Sequence, residues 1–327
     1  MNIPDGFVRL PNEVNETMHS MPLHKDGSFH HRGGPGMMAH KKLKVAIIGS
    51  GNIGTDLLVK TMHSSLLECV LFVGRNNQSL GMQKAKGLEV QISDRSIDAL
   101  IEDADRYELV FDATSAQDHH IHAPILKRLN KVVIDMTPSN IGEMCVPAVN
   151  MDHCLKLQNV SMVTCGGQAS IPLAYAIGQT QPDVEYIEVV SSISSNSAGP
   201  ATRNNLDEYI ETTEKGIAHF SGCGRSKAIL NLNPADPCIH MQTTVFALVR
   251  NPDMDSLKRY TDAMVRNLQQ YVPGYQLIVP PTLENGRIVI MVRVEGLGDY
   301  LPPYAGNLDI INCAAIAMAE EYARKLA

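Results

Sequence analysis

A cysteine set between a short apolar run and two glycines is where chemistry can start in this chain. Residues 160–163 read as a strand, Gly166-Gly167 as a turn, and the residues after them as a helix. That spacing predicts Cys165 at a helix N-terminus, where unpaired backbone N–H groups and the positive end of the dipole favour the thiolate. The same N–H groups can hold the oxyanion formed when a thiolate adds to a carbonyl. A lone cysteine is ordinarily a small buried hydrophobe, so the reading needs a second motif. It comes earlier, in Gly49-Ser50-Gly51-Asn52-Ile53-Gly54, which follows the apolar run 43–48 and opens a helix. Gly49 suits the tight turn, Gly51 the approach of a pyrophosphate, and Gly54 close helix–strand packing. The nucleotide-binding start tips the balance toward a reactive rather than a merely buried cysteine.

The elements that must position these residues follow two patterns. Strands are expected at 43–48, 67–73, 88–92, 109–113 and 131–136, with helices between them at 52–64, 79–87, 96–103 and 118–129. This alternation predicts an α/β fold with a Rossmann-type, doubly wound parallel sheet. Thr114, Ser115 and Ala116 end one of its strands, where open α/β sheets bind ligands. After Cys165 the texture changes. Strands at 184–194, 226–232, 240–249, 275–280 and 287–295 and helices near 202–219 and 254–271 predict an α+β domain with a mostly antiparallel sheet. A final helix, 306–326, carries Ile311, Ala314, Ala315, Met318 and Tyr322 on one face and is expected to pack back on the first domain. The expected division is a flexible extension at 1–41, a dinucleotide-binding domain at 42–165 completed by 306–327, and a catalytic and dimerisation domain at 166–305.

Bulk properties fit this outline. The 327 residues are 44% hydrophobic and 19% charged, with a net charge of −7. The acidic balance gives no reason to expect nucleic acid or an anionic membrane as partner. No apolar run is long enough to span a bilayer, and the N-terminus lacks an apolar signal core. Seven scattered cysteines without a Cys-x-x-Cys point to reduced thiols in the cytoplasm rather than a disulfide framework or a zinc site. His19, His24, His30, His31 and His40 lie in the extension without the rigid frame that a metal site needs.

Longer motifs make a resemblance specific. They are residues 47–55, 110–116 and 163–172, then Ser197-Ala198-Gly199-Pro200, Thr202-Arg203, Asn205-Leu206-Asp207-Glu208, 271–275 and 301–310. In this order they resemble the CoA-acylating acetaldehyde dehydrogenases, which partner 4-hydroxy-2-oxovalerate aldolases in aromatic-compound breakdown. The resemblance implies that Cys165 adds to an aldehyde, that a nicotinamide takes a hydride, and that coenzyme A takes the acyl group from the resulting thioester. It implies that Asn205 helps to hold the oxyanion and that Asn307 touches the nicotinamide end. It also implies that Ser197, Ala198, Gly199, Pro200, Ala201, Thr202, Arg203 and Asn204 form a loop near the cofactor. A homo-oligomer and an aldolase partner are expected on the same ground.

Four departures qualify the resemblance. Arg75-Asn76 stands where the family usually has an acidic residue for the ribose, which leaves NAD and NADP both open. Thr243 stands where the family has an Asp near the thiol, so thiol activation must rest elsewhere. Asn196 and Ala201 replace a usual Lys and Gly. The segment between Tyr275 and Val294 is short, and 280–286 reads as a tight turn joining two strands. Two rival readings stay open: a related thioester-forming enzyme for a larger substrate, and a weakly catalytic, cofactor-binding partner subunit.

Overall fold

A computed structural model describes residues 41–326. The expectations for the N-terminal extension and its histidines fall outside the described residues, His40 included. The first half of the chain alternates as β1 (Leu43–Ile48), α1 (Asn52–His63), β2 (Leu67–Val73), α2 (Leu80–Gly87), β3 (Ile92–Ser93), α3 (Ile97–Glu102), β4 (Leu109–Asp112), α4 (Ala116–Arg128) and β5 (Val132–Asp135). Then come β6 (Glu143–Met144), α5 (Pro147–Cys154) and β7 (Asn159–Ser161). The seven strands form one sheet in the order β3–β2–β1–β4–β5–β7–β6, and all its pairs are parallel. The doubly wound architecture is therefore present. Both faces of the sheet are covered: Val45 and Ile47 enter one core cluster, Ala46 and Ile48 another. Two-sided burial is why β1 is continuously apolar rather than alternating.

The second half contributes α6 (Cys165–Thr180), β8 (Val184–Ser194), α7 (Pro200–Asn204), α8 (Leu206–Ser221), β9 (Ser226–Asn233) and β10 (Met241–Val249). It continues through α9 (Met254–Gln269), β11 (Tyr275–Glu284) and β12 (Arg287–Val294). The sheet order is β11–β12–β10–β8–β9, antiparallel except for the parallel pair β8–β9, whose crossover contains α8. Three expectations are corrected. The strand expected at 88–92 lies at Ile92–Ser93, because residues 88–89 turn and Glu89 takes a positive φ. The single helix expected near 202–219 is broken at Asn205, whose φ of −123° and ψ of 38° are not helical. Residues 280–284 are strand, and the turn is confined to Asn285 and Gly286, both at positive φ. Pro280 and Pro281 are tolerated because β11 is an edge strand with register irregularities at that point.

The second sheet packs one face on its helices through Ile187, Val245, Ile290 and their neighbours. Its other face carries Val190 opposite Thr244, and Phe246 between Glu188 and Val289. These residues are only half-buried.

α10 (Gly306–Leu326) returns to the first sheet. Ile311, Ala314, Ala315, Met318 and Tyr322 enter the core that also holds Leu57, Leu58 and Phe111. The docking is fixed by a buried charge cluster between α1 and α10. Lys60 Nζ lies 2.7 Å from Asp309 Oδ1, 2.7 Å from Asp299 Oδ2 and 3.7 Å from Asp56 Oδ2. Asn312 Nδ2 donates to Asp56 Oδ2 at 2.8 Å. Burial holds the Asp56 carboxyl above its usual pKa despite Lys60. Lys60→Met would leave Asp309 uncompensated. It should lower stability by about 3–5 kcal/mol, the cost of breaking a buried pair on one side, read as a lower denaturation midpoint. A shift no larger than that of a surface substitution would show that the cluster does not hold α10.

Candidate active site

The glycine turn after β1 is shaped by its own backbone. Gly49 has a φ of +113°, and a Cβ there would overlap the Ala113 carbonyl oxygen. A Cβ on Gly54 would overlap the Gly49 carbonyl oxygen. Gly51 is different: a Cβ there meets no atom of the described residues within 4 Å, and Gly51 lines the cleft. α1 begins beyond it with no side-chain cap, leaving its first N–H groups directed outward.

These residues line a cleft of about 1230 Å³ at the carboxyl ends of the parallel strands. Gly49, Ser50, Gly51, Asn52 and Ile53 form one wall and Thr114, Ser115 and Ala116 another. Ser197, Gly199, Thr202, Asn204 and Asn205 approach from the second half of the chain. Arg75 is on the rim, its side chain 80% exposed, with Nη1 3.9 Å from Asp118 Oδ2. Asn76 also lines the cleft and accepts from the Gln78 N–H at 2.8 Å. Gly54 lies behind the turn. Ala198 is buried, and Arg203 binds its own loop through the carbonyls of Ala198 and Ser195 rather than lining the cleft. Pro200 and Ala201 open α7.

Asn307 sits near the start of α10, beside Leu308, which lines the cleft. Both atoms of its amide are buried and have no hydrogen-bond partner among the described residues. A buried, unpartnered amide is costly, and a polar group of a bound molecule would satisfy it. With the open space at Gly51, this makes the residues present a fit for a dinucleotide.

Under the cleft lies a buried polar network that sequence reasoning missed. Asp112 Oδ2 lies 2.8 Å from His119 Nδ1 and 2.9 Å from His122 Nδ1. His119 Nε2 is 3.6 Å from Asp135 Oδ2, and Asp135 in turn accepts from Ser139 Oγ at 2.6 Å and Thr137 N at 2.8 Å. Thr114 bonds Asp112 through both N–H and hydroxyl. The network thus braces two loops that wall the cleft, 113–116 and 137–140. Burial opposes ionisation of Asp112, but the two imidazoles overcome it and hold its pKa well below the usual range. Burial lifts Asp135 to about 7. The signal was in the sequence: His119 and His122 share a face of α4, and Asp112 and Asp135 end neighbouring strands.

Cys165 is the first residue of α6. Thr164 caps the helix, its hydroxyl accepting from Gly167 N at 2.8 Å. The preceding Val163 has a φ of 62°, a left-handed conformation that costs a β-branched residue about 1–3 kcal/mol. The partly exposed thiol packs against the cores of both sheets. Its Sγ is 3.7 Å from the Tyr209 hydroxyl. Asn205 precedes Tyr209 by one helical turn, its carbonyl accepting from Tyr209 N at 2.9 Å. Thr243 is fully buried and bonds Ser191 Oγ at 2.9 Å. The expected thiolate-favouring environment needs correction. Burial pushes the Cys165 thiol up; Tyr209 and the N–H groups of Gly166 and Cys165 act the other way without overcoming it.

The fold is that of aspartate semialdehyde dehydrogenase II from Vibrio cholerae, with a TM-score of 0.57 at 14% identity, covering 88% of this chain and 98% of that one. Residues 36–161 match the family described as shikimate / quinate 5-dehydrogenase, and residues 165–302 the one described as prokaryotic acetaldehyde dehydrogenase, dimerisation. Fold and site define a two-sheet dehydrogenase that takes a nicotinamide cofactor. An acetaldehyde dehydrogenase of Spirochaeta aurantia is 62% identical over 88% of this chain and 97% of its own length. That of Pectobacterium atrosepticum is 57% identical over 86% and 96%, and that of Burkholderia thailandensis 50% over 85% and 94%. The chain belongs to the acetaldehyde dehydrogenase family.

The buried network makes stability depend on pH. A folded-state pKa near 7 for Asp135 means that the folded protein holds this proton more tightly than the unfolded chain does. The stabilisation is complete below the unfolded value of about 4 and is lost as pH rises toward 7. Asp135→Asn mimics the protonated form. Relative to wild type it should gain on the order of 2–4 kcal/mol between about pH 4 and pH 8, measured by denaturant titration across that range. A difference that does not change with pH would mean that Asp135 carries no extra proton.

Proposed function

We propose that this protein oxidises a short-chain aldehyde to acyl-CoA, reversibly, through a thioester on Cys165. The observation that carries the reading is the position of Cys165. It is a half-buried cysteine at the start of α6, wedged between the two cores, with Asn205 on the wall of the dinucleotide cleft.

The Cys165 thiolate adds to the carbonyl carbon, and the carbonyl pair moves to oxygen. The N–H groups at the start of α6 and the neutral amide of Asn205 hold that oxyanion. A nicotinamide bound in the cleft would supply the two-electron acceptor for the hydride that leaves the carbon as the carbonyl re-forms. Cys165 is then an acyl thioester. The CoA thiolate attacks its carbonyl, and the Cys165 thiolate leaves. Splitting one oxidation into two thioester steps is ordinary covalent catalysis.

The cofactor is held by residues 49–53, by Thr114, Ser115 and Ala116, by Ser197, Gly199, Thr202 and Asn204 of the following loop, and by Asn307. Residues 42–165 with α10 form the cofactor domain and 166–305 the catalytic and dimerisation domain. The half-buried face of the second sheet, with Val190, Phe246 and Val289, supports a homo-oligomer built there. The aldehyde is delivered by an aldolase-type partner. The seven free thiols support a reducing compartment, the cytoplasm.

Three measurements test this reading. Cys165→Ser should cut turnover by several orders of magnitude while cofactor binding survives. With aldehyde and oxidised cofactor but no CoA, mass spectrometry should find the acyl group on Cys165. Label on Cys238, the other partly exposed thiol, would place the active site elsewhere. The third measurement concerns cofactor choice. No carboxylate stands at Asn76 to repel a 2′-phosphate, so NADP is used measurably beside NAD. Arg75→Asp should move the kcat/KM ratio toward NAD by roughly 1–3 kcal/mol, the scale of one charge-assisted contact. An unchanged ratio would show that Arg75 does not read the phosphate.

A further inference from the structure

The surroundings of the thiol contain a group that the reaction scheme above does not use. The Tyr209 hydroxyl lies 3.7 Å from Cys165 Sγ. It rests so closely on the turn that a Cβ on Gly166 would overlap it. Tyr209 is buried, on the first turn of α8, the helix packed along α6. Its hydroxyl also faces the Gly166 N–H and the Thr164 hydroxyl.

What acts on the thiol is equally informative. Apart from burial, the groups acting on Cys165 are the Tyr209 hydroxyl and the N–H groups of Gly166 and Cys165 itself. No carboxylate, imidazole or ammonium is among them. Thr243 is bonded to Ser191, and a Cβ on Gly166 would come 3.3 Å from that Ser191 hydroxyl, so this pair supports the far side of the turn. Burial and the neighbouring thiol hold the Tyr209 phenol far above its usual pKa. It therefore stays a neutral O–H donor wherever the enzyme works. A thiolate formed beside it gains a hydrogen bond that a charged base would not supply.

We propose that Tyr209 is a catalytic residue of this enzyme, donating its hydroxyl hydrogen bond to the Cys165 thiolate and so setting how readily the nucleophile forms. The inference rests on Cys165 being that nucleophile. Tyr209 takes no proton. Its O–H stabilises charge on Sγ before attack, and again when Cys165 leaves the acyl group. The arrangement uses a neutral donor in a buried site, where hydrogen bonds to a charged atom are worth most.

The test is the pH dependence of Cys165 alkylation by iodoacetamide, read on the Cys165 peptide by mass spectrometry. It needs neither aldehyde nor cofactor. Tyr209→Phe keeps the ring and removes only the hydroxyl. At neutral pH alkylation should fall about ten- to a hundredfold, and the midpoint of the profile should rise by about one to two pH units. The deficit should close at high pH, where both thiols are ionised; a merely structural defect would persist at every pH. A ring-fluorinated tyrosine at 209, a stronger donor of the same shape, should move the midpoint down, and it decides the matter if the Phe variant does not fold. Profiles superimposable on wild type in the variants that fold, or a loss of the same size at all pH values, overturn the proposal. Absence of an acyl adduct on wild-type Cys165 overturns the functional reading instead, and that result does not depend on any Tyr209 variant.

Discussion

The reversal from β7 into α6 is the constraint on which the site depends. Between Ser161 and Cys165 the chain must leave the end of a parallel strand and enter a helix directed at the second sheet. It does so by holding Val163, a β-branched residue, at a φ of 62°. Such strain persists where the surroundings over-determine it. Here the Val163 side chain is clamped between Gly167 and Gly216: a Cβ on Gly167 would come 2.9 Å from it and one on Gly216 3.3 Å. The third small residue, Gly166, admits Tyr209. The outcome is a half-buried cysteine at the head of a helix, in contact with both cores.

Charge is distributed in a pattern that suits this geometry. Around the thiol the groups are neutral hydroxyls and amides. The ionisable residues are set back, in two buried clusters that brace the framework. Asp112, His119, His122 and Asp135 tie together the loops after β4 and β5. Lys60 with Asp56, Asp299 and Asp309 ties α10 to α1. Removing Asp112 from the first cluster or Lys60 from the second would leave uncompensated charge, so each is costly to disturb there. Such clusters fix loop positions at the cleft without placing a titrating group against Sγ. The thiol is thereby governed by desolvation and hydrogen bonding, two effects of opposite sign of which desolvation is the larger.

The framework was largely legible before any coordinates, because its signals are local. A strand buried on both faces must be apolar throughout, and the run 43–48 is. A helix that starts against a pyrophosphate site needs glycine where the backbone reverses, and Gly49 and Gly54 prove sterically required. The apolar face of α10 followed from helical periodicity alone. Errors fell where a local pattern had two readings. Paired prolines at 280–281 read as a turn, yet an edge strand accommodates them. The stretch 202–219 reads as one helix, yet Asn205 breaks it. Residues 88–92 read as strand, yet their N-terminal half turns.

By itself the sequence determined the order of elements, the parallel character of the first sheet, the glycine turn and the placement of Cys165 at a helix start. Each of these depends on residues within about one helical turn or one strand of each other. The tertiary structure alone decided the state of the thiol. The helix dipole is a property of α6 and was foreseeable. The desolvation that outweighs it arises because two cores, built from segments far apart in the chain, close on the same sulfur. Tyr209 meets Cys165 across 44 residues, and Ser191 meets Thr243 across 52. No periodicity records such meetings. The first is a consequence of packing α8 against α6 and the second of pairing β8 with β10, and packing depends on the shapes of many side chains at once rather than on any one pattern.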